Sequence, residues 1–182
     1  MKRWSVVFMT FGLASACVTF SAPSVSHQAE QKAPLLTPAQ LTAMLRDKSA
    51  REVIDFLTQI ENERMERWEY VLDQIETGNI EWLKIALLLS PATDADSAET
   101  LGDALAEATT RAPARVLLLF SNHCYIPDYK LPPTKERFLA EIQRRVRIVE
   151  RVADPFLKQA KAECIREYQN AAHDANSHYT TR

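Results

Sequence analysis

Glycine is almost absent from this chain, and that scarcity constrains the fold more than any other feature. There are 3 glycines in 182 residues, where average usage of roughly 7% would give about 13. Gly12 lies in the apolar opening segment, which leaves only Gly78 and Gly102 for the rest of the chain. The glycine-based phosphate loops, the nucleophile elbow and the tight hairpin turns that β-rich folds depend on are therefore excluded. With 46% hydrophobic and 25% charged residues the chain is globular rather than disordered. The expectation is an all-α protein.

The chain opens with Lys2 and Arg3, followed by an apolar run from Trp4 to about Phe20. A short basic region before a short apolar core is the layout of a bacterial export signal, and the run is short for a membrane span of ~20 residues. Leu13-Ala14-Ser15-Ala16-Cys17 resembles the lipobox of bacterial lipoproteins, although Ala14 stands where Leu is commonest. That resemblance implies removal of residues 1–16 and lipidation of Cys17. Val18 rather than Asp after it implies sorting to the outer membrane, with the protein facing the periplasm. Ordinary cleavage after Ala16 or Ala22 is the alternative. Cysteine parity favours lipidation: with Cys17 acylated, Cys124 and Cys164 remain as an even pair in an oxidising compartment. They are expected to form a disulfide. No CxxC points to a redox-active role.

Residues 17–36 contain Pro23, Pro34 and several serines without apolar periodicity, and read as a flexible tether. The domain is expected over 37–173, with a frayed tail over 174–182. Thr37-Pro38-Ala39-Gln40 and Ser49-Ala50-Arg51-Glu52 read as capping boxes, and Asp96-Ser97-Ala98-Glu99 as a third. From Val53 through Leu57, Ile60, Trp68 and Val71 to Ile75 the apolar spacing predicts one long amphipathic helix ending at Gly78. Asn79 caps a helix that is apolar on almost every side, including Leu87 and Leu88, and so is expected to be buried. Further helices are predicted from the Asp96 box through Leu101, Ala104, Leu105 and Ala108, over Pro113–Phe120 and Thr134–Ala153, and another after Asp154-Pro155. The sum is one domain of six to seven helices in antiparallel pairs, an irregular bundle or short solenoid. Trp68 and Trp82 are expected to staple adjacent helices.

Catalytic patterns are weak. None of His27, His123, His173 and His178 belongs to HExxH or ExxH. His123, Cys124 and Asp128 form an incomplete metal set, and neither a metal nor another cofactor is expected. Charge is more informative. The formal net charge is −2, and removal of Lys2 and Arg3 makes it −4. Residues 61–107 carry twelve acids against three bases, a net of −9, whereas residues 108–182 carry thirteen bases against eight acids, a net of +5. Nucleic acid is not an expected partner for an exported, net-acidic chain. Lys135, Arg137, Arg144, Arg145, Arg147 and Arg151 form the densest basic stretch, which could touch anionic lipid or glycan; the plainer reading is that acidic and basic helices face each other or water.

The functional expectation is a non-enzymatic periplasmic lipoprotein that binds another envelope protein. Glu61, Glu63, Glu66, Glu69, Asp73 and Glu76 are its candidate partner-binding residues. Small, exported, acidic helical proteins of this kind resemble immunity proteins against periplasm-acting toxins in type, not in motif. The alternatives are an envelope enzyme or small-ligand binder with a pocket between helices, and a structural lipoprotein of an envelope assembly.

Overall fold

The computed structural model describes residues 36–60, 65–121, 124–126 and 134–180. Residues from Pro34 to Arg182 cluster into one compact unit, and its described residues form eight α-helices and no strand. The helices are α1 (Pro38–Asp47), α2 (Ala50–Leu57), α3 (Glu66–Glu76), α4 (Ile80–Leu89), α5 (Ala95–Arg111), α6 (Pro113–Leu119), α7 (Lys135–Glu150) and α8 (Lys158–Thr180). The all-α expectation holds. The expected leader, the lipidation site Cys17 and most of the tether lie outside the described residues.

Local chemistry starts the helices. Thr37 and Ser49 cap α1 and α2 in reciprocal boxes with Gln40 and Glu52. Asn79 caps α4 by accepting from the Glu81 N–H at 2.9 Å. At α5 the box forms between Asp94 and Ser97, so the helix starts earlier than the predicted Asp96–Glu99 box. Asp94 carries the acceptor that Ser97's amide needs, and its carboxyl is held below the usual range, chiefly by the Ser97 hydrogen bonds.

The predicted long helix from Val53 to Ile75 is instead two, α2 and α3. Between Leu57 and Trp68 the only large apolar residues are Ile60 and Met65, and both are exposed, Ile60 at 70%. A helix continued through this stretch would bury nothing. The chain uses other bonds: the Thr58 hydroxyl donates back to the Ile54 carbonyl at 2.9 Å, and Arg67 donates to the Phe56 carbonyl at 3.3 Å. This break accounts for eight helices where six to seven are expected. At the other end, α8 runs on to Thr180 and Ala175 is buried. Of the tail expected to fray, residues 174–180 are helical.

The buried side chains form two clusters. The first unites α1 to α6 around Trp68, Leu83, Ile85, Leu89 and Leu105. The second joins Leu117 and Cys124 to the stripes of α7 and α8, with Phe138, Ile142, Val149 and Tyr168 at its centre. Trp68 ties α3 to α5 by donating its indole N–H to Thr100 Oγ1 at 3.0 Å, and Trp82 meets Tyr70 edge-on at 5.9 Å. Helix α4 is less enclosed than expected, since Leu87 and Leu88 are exposed.

Candidate functional site

Three charged features distinguish the surface and the seam between the two clusters. The first is on α3. This helix buries Trp68, Val71 and Ile75, which turns the 66, 69, 73 and 76 positions outward, spaced by three and four along one face. Glu66, Glu69 and Asp73 are exposed, and Glu76 is half-buried. Four of the six predicted partner-binding carboxylates thus form one stripe; Glu61 and Glu63 lie outside the described residues. Helix α5 packs on α3 and extends the negative surface. Partial burial pushes the Glu76 carboxyl up. Arg111 opposes that shift, while Asp73, Glu107 and Asp103 reinforce it. Arg111 Nη2 stands 3.7 Å from Glu76.

The second feature is a buried base. Arg145, one of the bases expected to face the acidic helices or water, is only 2% exposed and meets the acidic side. It occupies the core stripe of α7 between Phe138, Ile142 and Val149. Its Nε donates to Glu141 Oε1 at 2.7 Å, its Nη2 to Glu107 Oε1 at 2.5 Å, and its Nη1 to the Ala106 carbonyl. The guanidinium therefore clamps α7 to α5. Tyr168 lies in the same network. Burial pushes its phenol up, against the pull of Arg145, and its hydroxyl donates to the Tyr125 carbonyl at 3.3 Å. Arg144 binds Glu141 through two nitrogens, at 2.7 and 2.6 Å, and this hydrogen bonding is the main reason that the Glu141 carboxyl sits below its usual range. Each guanidinium nitrogen of Arg145 is committed to a partner within the chain, which makes the network a structural clamp. The sequence signal was its spacing: residues 138, 142, 145 and 149 keep the helical period.

Cys124 and Cys164 stand at disulfide distance, with Cα atoms 4.7 Å apart. The Cys124 N–H also donates to Glu167 Oε2 at 2.6 Å. With the Tyr168–Tyr125 bond, three ties fasten Cys124 and Tyr125 to α8. This pairing withdraws Cys124 from the incomplete metal set, whose other members, His123 and Asp128, lie outside the described residues. Among the described residues no three His, Cys, Asp or Glu side chains gather as a metal set, and no helix is long and apolar enough to cross a membrane. His173 is exposed on α8.

The third feature is a cleft of about 460 Å³ lined by Arg111, Arg115 and Arg151 together with Thr77, Ile148 and Val152. No sequence pattern announced it, because the three arginines come from the end of α5, from α6 and from the residue closing α7.

No protein family matches the chain, and no curated protein or solved structure matches it either.

Proposed function

We propose that this chain is a non-enzymatic envelope protein that binds a partner protein presenting a basic surface. The observation that supports this most directly is the α3 stripe. Glu66, Glu69 and Asp73 share one solvent-facing side of a helix whose opposite side is held by Trp68, Val71 and Ile75. A row of carboxylates on a firmly packed helix creates a negative potential that speeds encounter with a basic partner and selects against acidic ones. Neutralisation of a periplasm-acting toxin is one concrete form of this reading. Lipidation of Cys17, export to the periplasm and anchoring at the outer membrane belong to the same proposal.

The test is in-cell crosslinking from an exposed α3 position, in wild type and in the Glu66→Lys, Glu69→Lys, Asp73→Lys variant. Crosslinks to a partner with a basic surface, lost in the variant and restored by charge reversal on that partner, are expected. Undiminished crosslinking of the variant would sink the acidic-face reading. Intact-mass measurement of the envelope fraction separately tests the anchor: a chain starting at Cys17 with an acyl-sized increment is expected.

A further inference from the structure

The arginine-lined cleft calls for an occupant, and it meets the α3 stripe through Glu76, which stands by Arg111. Arg111, Arg115 and Arg151 line one cleft, and arginine stays protonated at any physiological pH. Three such charges on one opening repel each other unless an anion answers them. The chain supplies little. Glu76 approaches Arg111 only to 3.7 Å, beyond hydrogen-bond length. Arg115 spends Nη1 on the Gly78 carbonyl at 3.0 Å, which orients the guanidinium and uses one of its three nitrogens. The exposed Arg151 side chain has no hydrogen bond or ion pair to any described residue. The Thr77 hydroxyl is already engaged, donating to the Gln74 carbonyl at 2.6 Å and accepting from the Asn79 N–H at 3.2 Å.

The walls are set in place by packing. Gly78 turns at φ +70°, and a Cβ there would meet Ala112 Cβ at 2.4 Å. The α3–α4 turn is thus seated directly against the α5–α6 junction that carries Arg111 and Arg115. Pro113, Ile148 and Val152 give the cleft an apolar side, where a charge pair is stronger than in open water.

We infer that this cleft is a binding site for a phosphomonoester, held between the forks of Arg111, Arg115 and Arg151 with its organic portion against Pro113, Ile148 and Val152. A phosphomonoester carries close to two negative charges and three acceptor oxygens. With Glu76 set against Arg111, about two positive charges remain, and a carboxylate, with one charge and two oxygens, answers only half of that. Planar guanidinium forks match phosphate oxygens in pairs. The phosphate group could be borne by a soluble metabolite or by a lipid headgroup, and both present the same chemistry to the cleft.

The experiment is titration of the full chain with glycerol 3-phosphate, followed by calorimetry, with sulfate as the control anion. Vesicles of phosphatidylcholine with and without phosphatidic acid form a second arm. Saturable binding that is weakened about tenfold or more by Arg151→Gln is expected, as is sulfate binding that is clearly poorer. Arg151→Gln removes a side chain with no partner among the described residues, and unchanged thermal unfolding separates loss of binding from loss of structure. Binding of glycerol 3-phosphate assigns a soluble ligand. Sedimentation with phosphatidic acid vesicles, abolished by the same variant, assigns a headgroup. Absence of saturable binding in both arms, equal affinity for sulfate, or indifference to Arg151→Gln would each overturn the assignment.

Discussion

Arg145 shows how one side chain can hold two halves of a core together. Placed among Phe138, Ile142 and Val149, it is a charge in an apolar stripe, and it is tolerated because Glu107, Glu141 and the Ala106 carbonyl receive its protons. Truncation removes the cation and leaves the Ala106 carbonyl without its partner, while Glu107, 42% exposed, keeps water, so Arg145→Ala should cost about 2–4 kcal/mol. In a domain of this size that lowers Tm by on the order of 10 °C, readable by circular dichroism. Arg145→Lys should recover only part of the loss, since an ammonium cannot span three acceptors in a plane. Glu76 predicts a pH effect of the opposite kind. Its carboxyl is raised by burial, against Arg111 and with the help of Asp73, Glu107 and Asp103. An acid raised in the fold contributes stability at low pH that is lost as pH rises through its folded pKa. Glu76→Gln should therefore give a small rise in Tm at pH 7, within about 2 °C. The difference should shrink as pH falls toward the ordinary glutamate value of 4.5. Thermal scans from pH 4 to 7 check both sign and window.

At the scale of elements, turns and ties position what the helices carry. Gly78→Ala forces a side chain into a left-handed turn and against Ala112. We expect a loss of about 1–3 kcal/mol and weaker phosphate binding, because the carbonyl that orients Arg115 moves with the turn. Reduction of the Cys124–Cys164 pair, which closes a separation of 40 residues, should cost roughly 3–4 kcal/mol, checked by unfolding with and without reductant. Much of this level was legible beforehand. The caps at Thr37, Ser49 and Asn79 and the stop at Gly78 follow from local chemistry that needs no tertiary partner. The break between α2 and α3 was less legible, because Ile60 keeps a helical spacing yet finds no surface to bury against. Arg145 was hidden by its own neighbours: in a run of bases the charge drew the eye from the period. The cleft was beyond reach, since residues 111, 115 and 151 become neighbours only once α7 has folded back onto α5 and α6.

As a whole, the domain is two cores sharing one seam. Residues of α1 to α6 form the first and those of α7 and α8 the second, joined by the Arg145 clamp, by Leu117 and by the Cys124 tie. Opening of the second core should thus be separable from opening of the first. In Cys124→Ser, Cys164→Ser protein, amide exchange in α8 should accelerate while that in α4 stays near its wild-type rate. Uniform acceleration would mean that the two cores open as one. The carboxylate stripe belongs to the first core, whereas the arginine cleft lies where the cores meet, lined by Arg115 of α6 and by Ile148 and Arg151 of α7 and its closing residue. Charge reversal at Glu66, which neither lines the cleft nor is among the charges acting on Glu76, should accordingly leave phosphate affinity within about twofold, since sites without shared partners act additively.

The placement of the tryptophans makes this architecture visible to light. Trp68 and Trp82 are both in the first core, while the largest aromatic residues of the second are Phe138 and Tyr168. In protein from which the opening segment with Trp4 has been removed, emission excited at the red edge of tryptophan absorption therefore reports on one half of the domain and is blind to the other. A mutant whose helical signal falls while the emission of its two buried indoles holds its colour has opened at α7 and α8, and the molecule itself supplies the dye.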